Sequence, residues 1–195
     1  KNFGPRCALP RGGDAEGGIR REYLDPNDPH RRDARPRPGV FSIKGTVMNI
    51  DALRMCGIPV TQDPLHTDAY RRDLWPRDTL AMYQHGHLPP APALVASPRT
   101  REHVAHAVQW AQSEGVNIIP YGAGSGVCGG ARGRENSLVL DLKKMNRILS
   151  IDTRAQTVHV QSGILGQHLE DLLGKIGWMT AHSPSSIACS TTGGY

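Results

Sequence analysis

The sequence predicts a mixed fold, α/β or α+β, and three observations carry this prediction. Short apolar strand candidates and two amphipathic helix candidates follow one another from residue 93 to residue 176. The 22 glycines and 15 prolines make up about a fifth of the 195 residues, which argues against an all-helical bundle. No apolar run approaches the ~18 residues that a membrane-spanning helix requires, so we expect no spanning segment.

Residues 1–47 are predicted to be disordered. They contain 13 Gly or Pro residues, show no hydrophobic period and carry four of the five net positive charges of the chain. A solvated tail is the favoured interpretation, and a polyanion-binding arm is the alternative. Because these basic residues lack interleaved aromatic residues for base stacking, we expect no nucleic-acid binding.

Residues 48–88 are predicted to be an irregular lead-in with a short helical turn at 78–83, followed by a folded domain over 89–195. The four cysteines are far apart and form no Cys-x-x-Cys pair. This spacing indicates no metal site and no disulfide scaffold, and it favours a reducing cytoplasm. Because the chain begins at Lys1 and stops directly after a glycine pair, we interpret it as a fragment.

The folded domain is expected to open with a strand at 93–96 and a helix. Thr100 is a suitable N-cap for this helix, and Gly115 is expected to end it. The apolar residues between them recur at helical spacing and should form one stripe: Val104, Ala107, Val108 and Ala111.

Four further strands and a second helix follow. The strands are predicted at 116–119, 137–140, 147–151 and 157–161. The helix opens at Gly163, and its apolar face holds Leu165, Leu169, Leu172, Leu173 and Ile176.

The glycine-rich stretch from Pro120 to Gly130 is the most informative part of the sequence. Glycines at alternate positions let the backbone approach a ligand closely and turn its N–H groups toward it. Successive N–H groups that face a concavity bind anions, phosphate above all, and Ser125 adds a hydroxyl donor. The loop therefore predicts a phosphate site, with a glycine-rich turn that holds no ligand as the alternative.

Two familiar phosphate motifs fit this stretch poorly. Residues 124–129 spell the dinucleotide fingerprint G-x-G-x-x-G, but the glycines that follow disfavour the helix that must begin there. Only about seven residues separate Gly130 from the next strand, fewer than a parallel crossover needs, so a Rossmann site is rejected. A P-loop is rejected because no Lys-Ser or Lys-Thr follows the last glycine.

A second loop, residues 182–194, offers several hydroxyl groups and then a glycine pair. Two small-residue loops in one domain suit a long ligand with a diphosphate link, because one loop can hold the diphosphate while the other lines a ring or sugar. The alternative for the second loop is an ordinary Ser/Thr turn network.

Five motifs occur in order: ALVASPRT (93–100), IPYGAGSG (119–126), LVLDLKKMNR (138–147), VQSGI (160–164) and PSSIACSTTGG (184–194). With them the sequence resembles the FAD-binding domain of the vanillyl-alcohol oxidase/PCMH flavoprotein family. The resemblance is strongest to the branch of alkylglycerone-phosphate synthase, D-lactate dehydrogenase and the glycolate oxidase flavin subunit. Residues 1–88 contribute nothing to it.

The resemblance implies an α+β fold, the first subdomain of a PCMH-type FAD-binding domain with short strands and flanking helices, truncated at its C-terminus. It implies non-covalent FAD, because the first loop contains no histidine, with Cys189 as a minor candidate for a covalent link. Gly124→Val should then abolish flavin binding, because the added side chain would block the pyrophosphate. The implied FAD-binding residues are Pro120, Tyr121, Gly122, Ala123, Gly124, Ser125 and Gly126 in the first loop and Ser185, Ser186, Ile187, Ala188, Cys189, Ser190, Thr191, Gly193 and Gly194 in the second.

For function, the resemblance implies an FAD-dependent oxidoreductase whose small-molecule substrate is a 2-hydroxy acid or a related alcohol. A transferase like alkylglycerone-phosphate synthase is the alternative, and a basic nucleic-acid-binding fragment is a distant one. The catalytic residues are expected beyond Tyr195, so none is assigned. The 195-residue piece alone is expected to hold FAD poorly.

Overall fold

The computed structural model describes residues 40–43 and 46–195. Most of the segment predicted to be disordered, 1–47, lies outside these residues. At its end, β1 (Val40–Ile43) and β2 (Thr46–Asn49) pair as an antiparallel hairpin, so the predicted boundary at residue 47 falls within β2. The division of the chain into domains stays a prediction.

A four-stranded sheet forms the centre of the fold, in the spatial order β3, β4, β6, β5. The strand β3 runs antiparallel to β4, whereas β4, β6 and β5 are parallel to one another. All five residues of β6 are buried, as expected for a central strand. The strands are β3 (Val60–Thr61), β4 (Leu94–Ala96), β5 (Asn117–Tyr121) and β6 (Ser137–Asp141). The mixed fold predicted from the sequence is confirmed.

The parallel pairing of β5 and β6 corrects one step of the sequence analysis. The distance from Gly130 to the next strand was the wrong measure, because β5 already ends at Tyr121. Residues 122–136 are long enough to return the chain to the start of β6 without a helix. The rejection of a Rossmann site therefore rests on the absence of a helix after the glycines within this described loop, and not on the spacing.

The helix α4 (Arg101–Glu114) covers one face of the sheet and has the predicted ends. The Thr100 hydroxyl accepts a hydrogen bond from the His103 N–H at 3.2 Å, and Gly115 ends the helix with φ +65°. The buried face of α4 differs from the predicted stripe. It consists of Ala107, Trp110 and Ala111, whereas Val108 is 43% exposed.

Residues before the predicted domain boundary at 89 belong to the same core. Met48, Ile50 and Leu53 are almost fully buried and pack in one cluster with Trp110 of α4. The Trp110 indole N–H also donates to the Asn49 carbonyl at 2.8 Å. The core of the folded domain thus includes a segment in which the sequence showed no family motif.

Three short helices precede β4, and the first contains Leu53: α1 (Asp51–Met55), α2 (Pro64–Asp68) and α3 (Pro76–His85). The helix α3 is longer than the turn predicted at 78–83, because Pro76 starts it and Gly86 ends it with φ +63°. In the described part of the chain, no helix has both the length and the apolar character needed to cross a membrane.

The last part of the chain is a hairpin, β7 (Ile148–Asp152) and β8 (Thr157–Val160), followed by α5 (Gly166–Gly174). Leu169 and Leu173 of α5 pack with Ile164 in a separate small core. The helix begins three residues later than predicted, and Ile176 lies past its end with 53% of its surface exposed. Two 3₁₀ turns, Leu142–Lys144 and Thr192–Gly194, lie beside the loops described next.

Candidate functional site

A cavity of about 410 Å³ lies where β5 and β6 end, between the glycine-rich loop and the end of the second loop. Ten predicted site residues line it: Pro120, Tyr121, Gly122, Ala123, Gly124, Ser125, Gly126, Thr191, Gly193 and Gly194. Three further lining residues belong to the predicted glycine-rich stretch but not to the implied FAD-binding set: Val127, Cys128 and Gly130. Four were not predicted at all: Asp73, Ala131, Leu142 and Ser162. The volume is in the range of small-molecule sites.

Backbone N–H groups are the main hydrogen-bond donors of the glycine-rich loop. Within the described chain, the N–H groups of residues 123–128 donate to no protein acceptor. Residues 123–125 are half-buried and residues 126–128 are exposed; unpaired donors are unusual in the half-buried part, because buried backbone N–H groups are nearly always paired. A row of such donors at a concavity forms a site for an anion.

Two glycines allow close contacts beside the cavity: Gly122 of the first loop lies against the Thr191 side chain, and Gly193 of the second loop lies against Ser162. A Cβ added at Gly193 would lie only 2.6 Å from the Cβ of Ser162, and one added at Gly122 would overlap the Thr191 hydroxyl. A side chain at either position would therefore push these segments apart, and all four residues line the cavity.

Gly124 has a different role from the one expected. Its φ is +71°, and an added Cβ would collide with the Tyr121 hydroxyl and lie 2.7 Å from Tyr121 Cζ. The space next to this glycine is thus occupied by the Tyr121 side chain. A valine at position 124 would distort the loop itself, whether or not a ligand is bound.

Two nearly buried hydroxyl groups face the cavity without a hydrogen-bond partner among the described residues. Thr191 is 3% exposed, and its oxygen lies between Gly122 and Gly194. Tyr121 is 8% exposed, and burial, helped by the nearby carboxylates of Asp141 and Asp73, raises the pKa of its phenol. The phenol therefore stays protonated at neutral pH and can act as a donor.

The segment before α3 forms the outer wall of the cavity. The buried Asp73 carboxylate accepts hydrogen bonds from the Trp75 N–H at 3.0 Å and the Ala131 N–H at 3.4 Å. The Leu74 N–H donates to the Gly126 carbonyl at 2.9 Å. Among the described residues that line the cavity, Asp73 alone carries a charge, and main-chain donors already bind its oxygens.

Most of the second loop does not reach the cavity. Ser185, Ser186, Ile187, Ala188, Cys189 and Ser190 are absent from its wall. The Ser190 hydroxyl donates to the Ser186 carbonyl at 2.8 Å, which matches the turn-network alternative. The carbonyls of Ile187 and Ser190 accept the first N–H groups of α5, so this segment caps that helix.

These features fit the diphosphate of FAD. The free N–H row supplies the donors that phosphate oxygens need, and the hydroxyls of Ser125, Ser162 and Thr191 add further donors on the same wall. The glycines at 122, 124 and 126 leave the main chain open to the approach of a diphosphate, and the Tyr121 side chain occupies the space beside Gly124.

A sequence model described as an FAD binding domain matches residues 92–195, more than half of the chain. Alkyldihydroxyacetonephosphate synthase of Dictyostelium discoideum is 37% identical over 113 residues, covering 56% of this chain and 18% of its own. The synthase of Trypanosoma brucei brucei is 29% identical over 161 residues, which cover 75% of this chain and 25% of the synthase. The glycolate oxidase subunit GlcD of Bacillus subtilis is 34% identical over 103 residues, which cover 54% of this chain and 22% of that subunit.

Solved structures agree with this assignment. A structure of alkyldihydroxyacetonephosphate synthase superposes with a TM-score of 0.63 at 34% identity, covering 69% of this chain and 28% of its own. Xylooligosaccharide oxidase from Myceliophthora thermophila superposes with a TM-score of 0.57 at 26% identity, and the match covers 73% of this chain and 28% of the oxidase. The chain spans about a quarter or less of the length of the curated relatives named here. It belongs to the FAD binding domain family, as the sequence motifs predicted.

Proposed function

We propose that this chain holds the diphosphate of FAD, non-covalently, on the free N–H groups of residues 123–128. The observation that carries the proposal is this row of unpaired donors at the wall of a cavity. The hydroxyls of Tyr121 and Thr191 supply two more donors at its edge. When bound, FAD supplies the redox chemistry that amino-acid side chains lack.

The enzyme that contains this chain is proposed to be an FAD-dependent oxidoreductase that oxidises a 2-hydroxy acid or a related alcohol. Support comes from the identity with the glycolate oxidase subunit and from 35% identity over 75 residues with D-2-hydroxyglutarate dehydrogenase of Xanthomonas citri. A cytoplasmic location is part of the proposal and rests on the isolated cysteines. No residue of this chain is proposed to contact the substrate.

Two measurements test the proposal. Titration of the purified full-length protein with FAD should give saturable binding, seen as quenching of flavin fluorescence. Addition of glycolate, D-lactate or D-2-hydroxyglutarate without oxygen should then bleach the visible flavin band. Absence of FAD binding would contradict the site, whereas binding without bleaching by any 2-hydroxy acid would contradict only the substrate class.

A transferase that makes an alkyldihydroxyacetone phosphate is a second candidate. It is favoured because three synthases from different organisms are 29–37% identical to the chain and because a synthase structure superposes with the TM-score of 0.63. This reaction predicts FAD binding without bleaching by 2-hydroxy acids. Detection of an alkyldihydroxyacetone phosphate by mass spectrometry would select it.

A further inference from the structure

We propose that Lys143 is a positioning residue that sets the direction of the first peptide of the glycine-rich loop and thereby turns its N–H groups toward the ligand. Lys143 does not line the cavity and is not among the implied FAD-binding residues, although it lies in the motif 138–147. This inference rests on the proposed binding of FAD at the loop. It concerns how the loop is held, not which residues touch the cofactor.

The Lys143 ammonium lies among electron-rich groups that fix its place. It forms an ion pair with Asp141 Oδ1 at 2.8 Å and donates to the Gly122 carbonyl at 3.2 Å. The rings of Tyr70 and Tyr121 lie 5.2 Å and 5.0 Å from it, within range of cation–π attraction. One ammonium therefore connects the end of β6, the segment before α3 and the beginning of the loop.

The ion-pair partner is itself held firmly. The side chain of Asp141 is 7% exposed, and its Oδ2 accepts a hydrogen bond from the Tyr70 hydroxyl at 2.8 Å. Its Oδ1 also accepts the Lys143 N–H at 3.1 Å, which starts the 3₁₀ turn Leu142–Lys144. Lys143 thus reaches Gly122 from a rigid base, so the contact can fix the orientation of the Gly122 carbonyl.

The orientation of that carbonyl determines where the next N–H group points. A trans peptide unit is planar, so the Gly122 carbonyl and the Ala123 N–H point in opposite directions. With the carbonyl bound to Lys143, the Ala123 N–H points away from the ammonium, and Ala123 lines the cavity. Without Lys143, the flexible glycine could turn its carbonyl into the cavity, where an acceptor repels a phosphate.

Removal of Lys143 has a second effect that must be separated from the first. It leaves the buried Asp141 carboxylate without its cation, which destabilises the fold by itself. The double variant Asp141→Asn/Lys143→Met removes both charges, but its asparagine has one acceptor oxygen for the Tyr70 hydroxyl and the Lys143 N–H, where the carboxylate has two. The single variant Asp141→Asn shares this change and keeps the Lys143 ammonium, so a loss of affinity in the double variant relative to Asp141→Asn is due to the lost donor at Gly122.

The test measures FAD affinity by fluorescence quenching and the melting temperature of the FAD-free protein, in the full-length enzyme. Lys143→Met is expected to weaken FAD binding about tenfold, and the double variant should show a similar loss relative to Asp141→Asn. Lys143→Arg, which keeps a charged donor, should stay within about threefold of wild type. Lys144→Met is the matched control, because Lys144 is exposed in the same turn, and it should change affinity by less than about twofold.

Each outcome decides the proposal. If Lys143→Met lowers the melting temperature but leaves the affinity of the folded protein unchanged, the residue is only structural and the proposal is wrong. A double variant that binds FAD as tightly as Asp141→Asn would also overturn it, because the defect of Lys143→Met would then come from the unpaired carboxylate. If wild type itself does not bind FAD, the proposed function fails instead, so the two failures are distinguishable.

Discussion

The Asp73 carboxylate accepts a hydrogen bond from the Ala131 N–H across 58 positions of sequence, and this contact attaches the segment before α3 to the end of the glycine-rich loop. The same carboxylate accepts the Trp75 N–H, so one buried side chain fixes two backbone segments. Since Asp73 also lines the cavity, the stability of the fold and the shape of the site depend on the same residue.

Asp73→Asn is therefore expected to destabilise the protein. The asparagine amide offers one acceptor oxygen where the carboxylate offers two, so one of the two backbone N–H groups loses its partner. The loss should be about 1–3 kcal/mol in the free energy of unfolding, measured by urea denaturation. Asp51→Asn is the control, because Asp51 forms an exposed ion pair with Arg54 and should change stability by less than about 1 kcal/mol. Equal effects of both substitutions would contradict this role of Asp73.

The neighbouring glycines Gly129 and Gly130 are expected to respond differently to alanine. Gly129 has φ +77°, and an added Cβ would lie 2.6 Å from Cε3 of Trp75, whereas an added Cβ at Gly130 meets no atom within 4 Å. Gly129→Ala should therefore lower the free energy of unfolding by about 1–3 kcal/mol. Gly130→Ala should leave it within about 0.5 kcal/mol of wild type. Thermal denaturation of both variants checks the difference, and a Gly129→Ala protein as stable as Gly130→Ala would contradict both the clash and the backbone strain.

Adjacent threonines provide a test of the ligand donors. The Thr191 hydroxyl faces the cavity, so Thr191→Val should weaken FAD binding by about three- to tenfold with little change in stability. The Thr192 hydroxyl is buried without a partner in the described structure and does not line the cavity. Thr192→Val should therefore leave affinity unchanged and keep or raise the melting temperature. An affinity loss confined to Thr192→Val would contradict the proposed contact between FAD and the Thr191 hydroxyl.

Alkaline pH should expose the contribution of Tyr70. Burial, with the hydrogen bond to Asp141, raises the pKa of the Tyr70 phenol above its usual range. The stabilisation that the protonated Tyr70 gives to the fold is fully present below the pKa of the unfolded tyrosine, about 10. It is lost as the pH rises beyond that value, because the unfolded chain then releases the proton while the folded chain keeps it. Tyr70→Phe should flatten the fall in the free energy of unfolding between about pH 9 and about pH 11. Identical slopes for the variant and wild type would contradict the shift.

The predicted features that the structure contains are those encoded by neighbouring residues. Thr100 and Gly115 are local signals, and each ends α4 as predicted. The glycine spacing after Pro120 likewise identified the loop that lines the cavity. Such patterns are visible in sequence because the backbone conformation depends on the residues themselves.

The missed parts depend on contacts between distant segments. Asp73 and Ser162 reach the cavity only because the fold brings their segments to the end of β5. Ser186 and Ser190 of the second loop bond within their own turn, and their role in binding FAD stays a prediction. Hydroxyl groups in a loop predict polar contacts, but sequence does not reveal whether the partner is a ligand or the next turn.

The attachment of loop 122–136 to the segment before α3 has a consequence for cofactor capture. Gly126 and Gly133 each bond to that segment through the main chain, so the conformational entropy of this stretch is lost when the polypeptide folds. Little of it is then left to be lost when FAD arrives, which favours a tighter complex. Substitutions near Arg71 and Leu74 should consequently behave as flavin-affinity variants, even though these residues are absent from the cavity wall.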